Sequence, residues 1–170
     1  MSHIRRTVRA TGAAVLLAGI TGAAVLAFAQ GTASAKTTTM HFFSKNVSDN
    51  FYQANGQLIT NPNAQPAVGD YFISTDLDYT GNAKKHAKTA TASDNLVCTI
   101  TTATQGVCDG SIAIGGSLLL ANHVTIDIAS NNPVVPINGG TGQFKGAHGT
   151  VTTVEIGNTA NSNFTVTYSN

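Results

Sequence analysis

Gly139-Gly140-Thr141-Gly142-Gln143-Phe144-Lys145-Gly146-Ala147-His148-Gly149-Thr150-Val151 is the most specific stretch of this 170-residue sequence. Its glycines allow positive φ and tight turning ahead of a strand. Thr141 can cap a single helical turn, and Phe144 can plug the end of a barrel. Gly149, inside the strand that follows, permits a bend or the close approach of another backbone. A phosphate-cradling loop would need Lys-Ser/Thr after its last glycine and a strand–loop–helix setting. Neither is present, which excludes nucleotide binding of that kind.

Working outward, strand-like segments follow one another near residues 38–47, 68–79, 84–92, 95–103, 106–115, 117–129, 148–157 and 163–169. Period-two alternation is clearest in two of them. Leu118, Leu120, Val124, Ile126 and Ile128 share one face of the sixth segment. In the second, Tyr71, Ile73, Leu77 and Tyr79 oppose Asp70, Phe72, Ser74, Asp76 and Asp78. Alternation does not say which of the two faces is interior. Eight antiparallel strands in one chain predict an all-β sandwich or a closed barrel, and a closed barrel leaves no exposed edge.

The first 35 residues differ in kind. Arg5, Arg6 and Arg9 precede an uncharged apolar run from Thr11 to Ala29, followed by Ala33-Ser34-Ala35. That order is a secretory signal peptide with its cleavage site. Residues 36–170 then form the mature domain, which has no second apolar run long enough to span a bilayer. It holds six lysines and no arginine against seven aspartates and Glu155, a formal charge of −2. So weak and negative a charge excludes a nucleic-acid partner. Twenty threonines and fifteen asparagines favour strands and turns over helices. The four mature histidines, His41, His86, His123 and His148, lack ligand spacing, so no metal is expected.

Cys98 and Cys108 flank a segment with Gln105-Gly106 as its turn signal. A turn centred near Ala103 sets them opposite each other on neighbouring strands. Export supplies an oxidising compartment, so a Cys98–Cys108 disulfide is predicted.

The glycine block resembles the Gly-Gly-(Thr/Ser)-Gly-x-(Phe/Tyr)-x-Gly-Ala-x-Gly-x-Val signature of allene oxide cyclase-like and dirigent-like barrels. A second block, from Val68-Gly69-Asp70-Tyr71 to Asp78-Tyr79-Thr80-Gly81, is similar to the Gly-Asp strand of those families. The resemblance spans most of residues 38–169. It implies a single eight-stranded antiparallel β-barrel over residues 36–170, often trimeric, with a cavity for an apolar small molecule. It implies no cofactor. The reactions of such barrels fold a substrate into a reactive conformer and stabilise developing charge with a few polar groups.

Carried over by position, the resemblance gives Asp76 a catalytic role at the barrel mouth, and Asn46 a second polar position on the first strand. Glu155, the only mature glutamate, shares a face with Val151 and Thr153 and can serve as an acid on an apolar wall. Tyr71, Phe72, Tyr79 and Phe144 are the expected ligand-binding side chains. His41-Phe42-Phe43-Ser44-Lys45-Asn46 carries no acid where the cyclases have a glutamate, and the mature chain lacks the arginines of dirigent pockets. Both departures count against allene oxide cyclisation and lignan-type steering themselves. The expectation is therefore a secreted, extracellular barrel that binds an apolar small molecule, as a cofactor-free isomerase, cyclase or stereo-directing protein. The alternative is a non-catalytic extracellular binding or structural barrel.

Overall fold

The computed structural model describes residues 36–61 and 63–170. The expected signal peptide, residues 1–35, lies outside the described residues. Ten strands are present: β1 (Thr37–Tyr52), β2 (Tyr71–Asn82), β3 (Lys85–His86), β4 (Ala92–Ile100), β5 (Gln105–Ile114), β6 (Ser117–Asp127), β7 (Val134–Ile137), β8 (Gly139–Gly140), β9 (His148–Glu155) and β10 (Ser162–Ser169). One 3-10 turn, Gly142–Phe144, interrupts them. The sheet runs β7-β9-β10-β1-β2-β4-β5-β6-β8, antiparallel at every step.

Closure is made by one bent segment. β7 pairs with β9 at one edge of the sheet, and β8 pairs with β6 at the other. Asn138 sits at the bend. Its N–H donates to the Leu120 carbonyl at 3.0 Å. Its side-chain amide donates to the Asn122 carbonyl at 2.8 Å, and its side-chain oxygen accepts the Asn122 N–H at 2.8 Å. These bonds satisfy the edge that an open sheet would expose.

The strand count is eight only when β3 and β8, of two residues each, are set aside. The expected strand over 84–92 is not formed. The Asn82 side-chain oxygen accepts the N–H groups of Lys84 and Lys85, which turns the chain back as a short hairpin. Val134–Ile137 takes the missing place. Pro136 hides it in the sequence, because proline is confined to edge strands, and β7 is one.

Two bulges decide which side chains face inward. Val47 is an extra residue on β1, between the Asn46–Asp76 and Ser48–Thr75 pairs. Phe42 and Ser44 point inward before it; Asp49 and Phe51 line the interior after it. On β6, the register shifts opposite Asp109, where His123 adopts φ 50° and donates its N–H to the Asp109 carboxylate at 2.8 Å. Leu119 and Ala121 are buried on one side of the shift, Val124 and Ile126 on the other. The single apolar face read over Leu118–Ile128 is therefore two half-strands of opposite phase.

The glycine block behaves as its residues require. A Cβ on Gly140 would meet the Phe144 carbonyl and lie 2.9 Å from the Leu118 carbonyl oxygen. Thr141 precedes the 3-10 turn without a side-chain cap; its hydroxyl accepts the Leu118 N–H at 3.0 Å instead. Phe144 is buried against Tyr168 at 5.4 Å, among Phe42, Leu119, Ile137 and Phe164. This core fills one end of the barrel. Asp70 of the second block is structural: its carboxylate accepts the N–H groups of Ala54 and Ala67 at 3.0 and 2.8 Å. The disulfide joins Cys98 to Cys108, directly opposed on β4 and β5 and both fully buried.

Candidate active site

Above the packed end the barrel is hollow. The cavity holds about 350 Å³ and opens at the end where β1 passes its bulge. Leu96, Ile112, Leu119, Ala121, Val135 and Val151 make an apolar wall. Facing them, β1, β2 and β4 supply Ser44, Ser74, Asp76 and Asp94. Apolar lining with a few convergent polar groups is the ordinary make-up of a small-molecule site.

The polar wall follows from the inward face of β2. Its even-numbered residues point inward, so the interior face is the acidic one: Phe72, Ser74, Asp76 and Asp78. Register places Asn46, Asp76 and Asp94 side by side across β1, β2 and β4, and Ser44 opposite Asp78. The Asn46 amide donates to Asp76 Oδ1 at 2.9 Å, and the Ser74 hydroxyl donates to Oδ2 at 3.4 Å. Asp78 lies deeper and is fully buried; neither of its carboxylate oxygens has a hydrogen-bond partner.

Three carboxyl groups so close in a dry wall cannot all ionise. Burial pushes Asp94 up to about 9, and the charges of Asp78 and Asp76 add to it. Burial likewise pushes Asp78 up to about 6, and the charge of Asp76 adds to it. Asp76 is raised by burial too, with the Asn46 amide working in the other direction. At neutral pH the group therefore holds a proton, centred on Asp94. A protonated carboxyl stands on one wall next to Asp76, which the Asn46 amide orients.

The expected site residues divide. Asp76 and Asn46 meet at the polar wall, and Phe72 lines the cavity near Phe51, at 5.4 Å between ring centroids. Glu155 reaches the cavity from an exposed position at the end of β9, opposite Ser162. Tyr71 and Tyr79 stand on the outward face of β2. Tyr71 stacks on Tyr52 at 5.0 Å, and Tyr79 packs against Phe43 and His86. Phe144 belongs to the packed core and does not line the cavity. Tyr71 and Tyr79 do not join the site because the inward phase of β2 is that of its aspartates, and Phe144 does not because the 3-10 turn seats it in the packed end. Sequence reading missed Asp94 and Asp49. Asp94 could have been found by counting back in twos from Cys98 once that disulfide was taken as interior. Asp49 turns inward only because Val47 is bulged.

Among solved structures the chain is similar to a pyocyanin demethylase, with a TM-score of 0.58 and 19% identity over 77% of this chain and 99% of that one. It is also similar to a pterocarpan synthase dirigent protein, with a TM-score of 0.46 and 14% identity over 78% and 93%. The first likeness shows the fold alone: this chain is an antiparallel β-barrel of the kind the pyocyanin demethylase adopts. No protein-family model matches the sequence, and no curated protein matches it.

Proposed function

We propose that this chain is an exported barrel that binds an apolar small molecule in its interior and rearranges it without a cofactor. The observation that carries this reading is the open 350 Å³ cavity with one apolar wall and one carboxyl wall. The leader-like residues 1–35 and the buried disulfide support export. Exposed Val47, Leu77 and Val154 on the outer wall are compatible with the trimer that the resemblance implies.

The chemistry is proton relocation. Asp76, oriented by Asn46 and Ser74, accepts in its carboxylate form a proton from one carbon of the bound molecule. Asp76 then returns that proton at another position, so the count of protons is unchanged and the product is an isomer. The apolar wall excludes water and fixes the conformer that reacts. Glu155, at the rim, is a second acid within reach of the cavity.

The test is to incubate the purified protein with unsaturated lipids and polyketides and follow mass-neutral conversion by chromatography. Conversion that is lost in Asp76→Asn while binding persists is the expected result. Conversion unchanged in both Asp76→Asn and Glu155→Gln would remove the catalytic role and leave a binding barrel. Failure of every compound to enter would remove the cavity reading altogether.

A further inference from the structure

The cavity has a one-sided charge. Asp49, Asp76, Asp94, Asp127 and Glu155 all line it, from β1, β2, β4, β6 and β9, and among the described residues no lysine, arginine or histidine does. Asp78, fully buried on the same inward face of β2, adds a carboxylate whose two oxygens accept nothing. Buried carboxylates are normally paired with a cation or fully hydrogen-bonded; Asp76 has only the neutral Asn46 amide and Ser74 hydroxyl, and Asp78 has no hydrogen-bond partner among the described residues. An anionic ligand, such as a free fatty acid, would be repelled by every titratable group that faces the cavity. A metal ion is a poor occupant, since no set of three His, Cys, Asp or Glu among the described residues is placed to hold one.

We infer that the ligand of this cavity is an organic cation: an apolar body ending in a nitrogen that bears both positive charge and N–H, seated between Asp76 and Asp94. This rests on the cavity being a small-molecule site and narrows what enters it. Two N–H groups on one nitrogen match two carboxyls held in register on adjacent strands. The apolar remainder lies against Leu96, Ile112 and Val151. The wall becomes fully ionised when the cation arrives, because the cation replaces the proton that Asp94 shares with Asp76 and Asp78. Uptake therefore releases a proton. The groups that face Asp94 are Asp76 and Asp78 from β2, with Asn46 and Ser44 from β1 and uncharged Ile112 from β5. Asp49, Asp127 and Glu155 stand nearer the opening and act in the same direction.

Three probes with one ring system separate charge from shape: 1-naphthylmethylammonium, 1-naphthylmethanol and 1-naphthoate. Each is titrated calorimetrically into the purified protein at pH 6, 7 and 8. The ammonium is expected to bind at least about tenfold more tightly than the alcohol at pH 7, and the carboxylate not at all. Its affinity should rise by up to about tenfold per pH unit, the slope for one proton released. The heat should also change with the ionisation enthalpy of the buffer. Asp76→Asn should weaken the ammonium at least about tenfold and leave the alcohol unchanged. If the alcohol binds as tightly as the ammonium, or the ammonium shows no rise with pH, the cation is overturned while the small-molecule site stands. If none of the three binds, the site itself is overturned.

Discussion

Asp94→Asn should make this protein more stable at neutral pH, against the usual direction of a mutation in a buried wall. Burial holds the Asp94 carboxyl up to about 9, against an ordinary 3.8. A carboxyl whose folded pKa lies above its unfolded one keeps its proton in the native state and loses it on unfolding. Its contribution is complete below about pH 4 and is lost progressively as pH rises towards 9. At about 1.4 kcal/mol per unit, the roughly three units between 3.8 and pH 7 amount to an upper limit of about 4 kcal/mol. Sharing of the proton with Asp76 and Asp78 reduces it, so a gain of about 2–4 kcal/mol is expected for the amide, which needs no proton and still donates to Asp76. At a few degrees per kcal/mol for a domain of this size, Tm should rise by roughly 6–15 °C. The assay is urea unfolding of the disulfide-intact protein between pH 4 and 9, followed by far-ultraviolet circular dichroism, because the chain has no tryptophan. The wild type should lose stability steadily over that range. The variant should keep only the slopes from Asp76 and Asp78, the latter flattening above about pH 6. A variant less stable than the wild type at pH 7, or one with the same slope, would refute the placement of the proton.

Replacing both cysteines, Cys98→Ala with Cys108→Ala, should cost about 2–3 kcal/mol, measured as a lower urea midpoint. Gly149→Ala should cost about 3 kcal/mol or more, or prevent folding, because its Cβ would run into the Thr167 carbonyl and lie 2.7 Å from the Tyr168 Cα; circular dichroism of the purified variant checks this. Ala121→Phe adds a ring to the apolar wall of the cavity. It should cut the affinity for 1-naphthylmethanol at least about tenfold by filling the cavity and also lower Tm, because Ala121 is buried beside Cys98, Cys108 and Val124.

What the sequence disclosed depended on whether a residue's role is local. Gly149 is a steric requirement of its own backbone, and the block around it was legible as a turn into a strand. The disulfide was legible because two cysteines ten residues apart can meet only across one hairpin. The strand at Val134–Ile137 was not, since its pairing with β9 is a non-local choice and Pro136 argues against it. The lost strand at 84–92 fails for the opposite reason, as the side chain of Asn82 forces a turn that strand propensity does not register. For the site, Asp76 and Asn46 were legible as positions, but their meeting is set by the β1–β2 register. Tyr71 and Tyr79 were misplaced because alternation gives two faces and no sign. Asp78 and Asp94 settle that sign only once β4 is laid against β2 and the cluster appears. The charged wall is thus a property of register across three strands, which no single segment carries.

Whether the hollow of the barrel is the binding site is read by a chemical-shift titration of the isotope-labelled protein with 1-naphthylmethylammonium. Shifts should be confined to inward positions, led by Asp76, Asp94, Leu96, Ile112, Ala121 and Val151, with the outward-facing Tyr71, Leu77 and Tyr79 unmoved. Shifts gathered on the outer face of β2, or at the packed end around Phe144 and Tyr168, would contradict binding in the hollow.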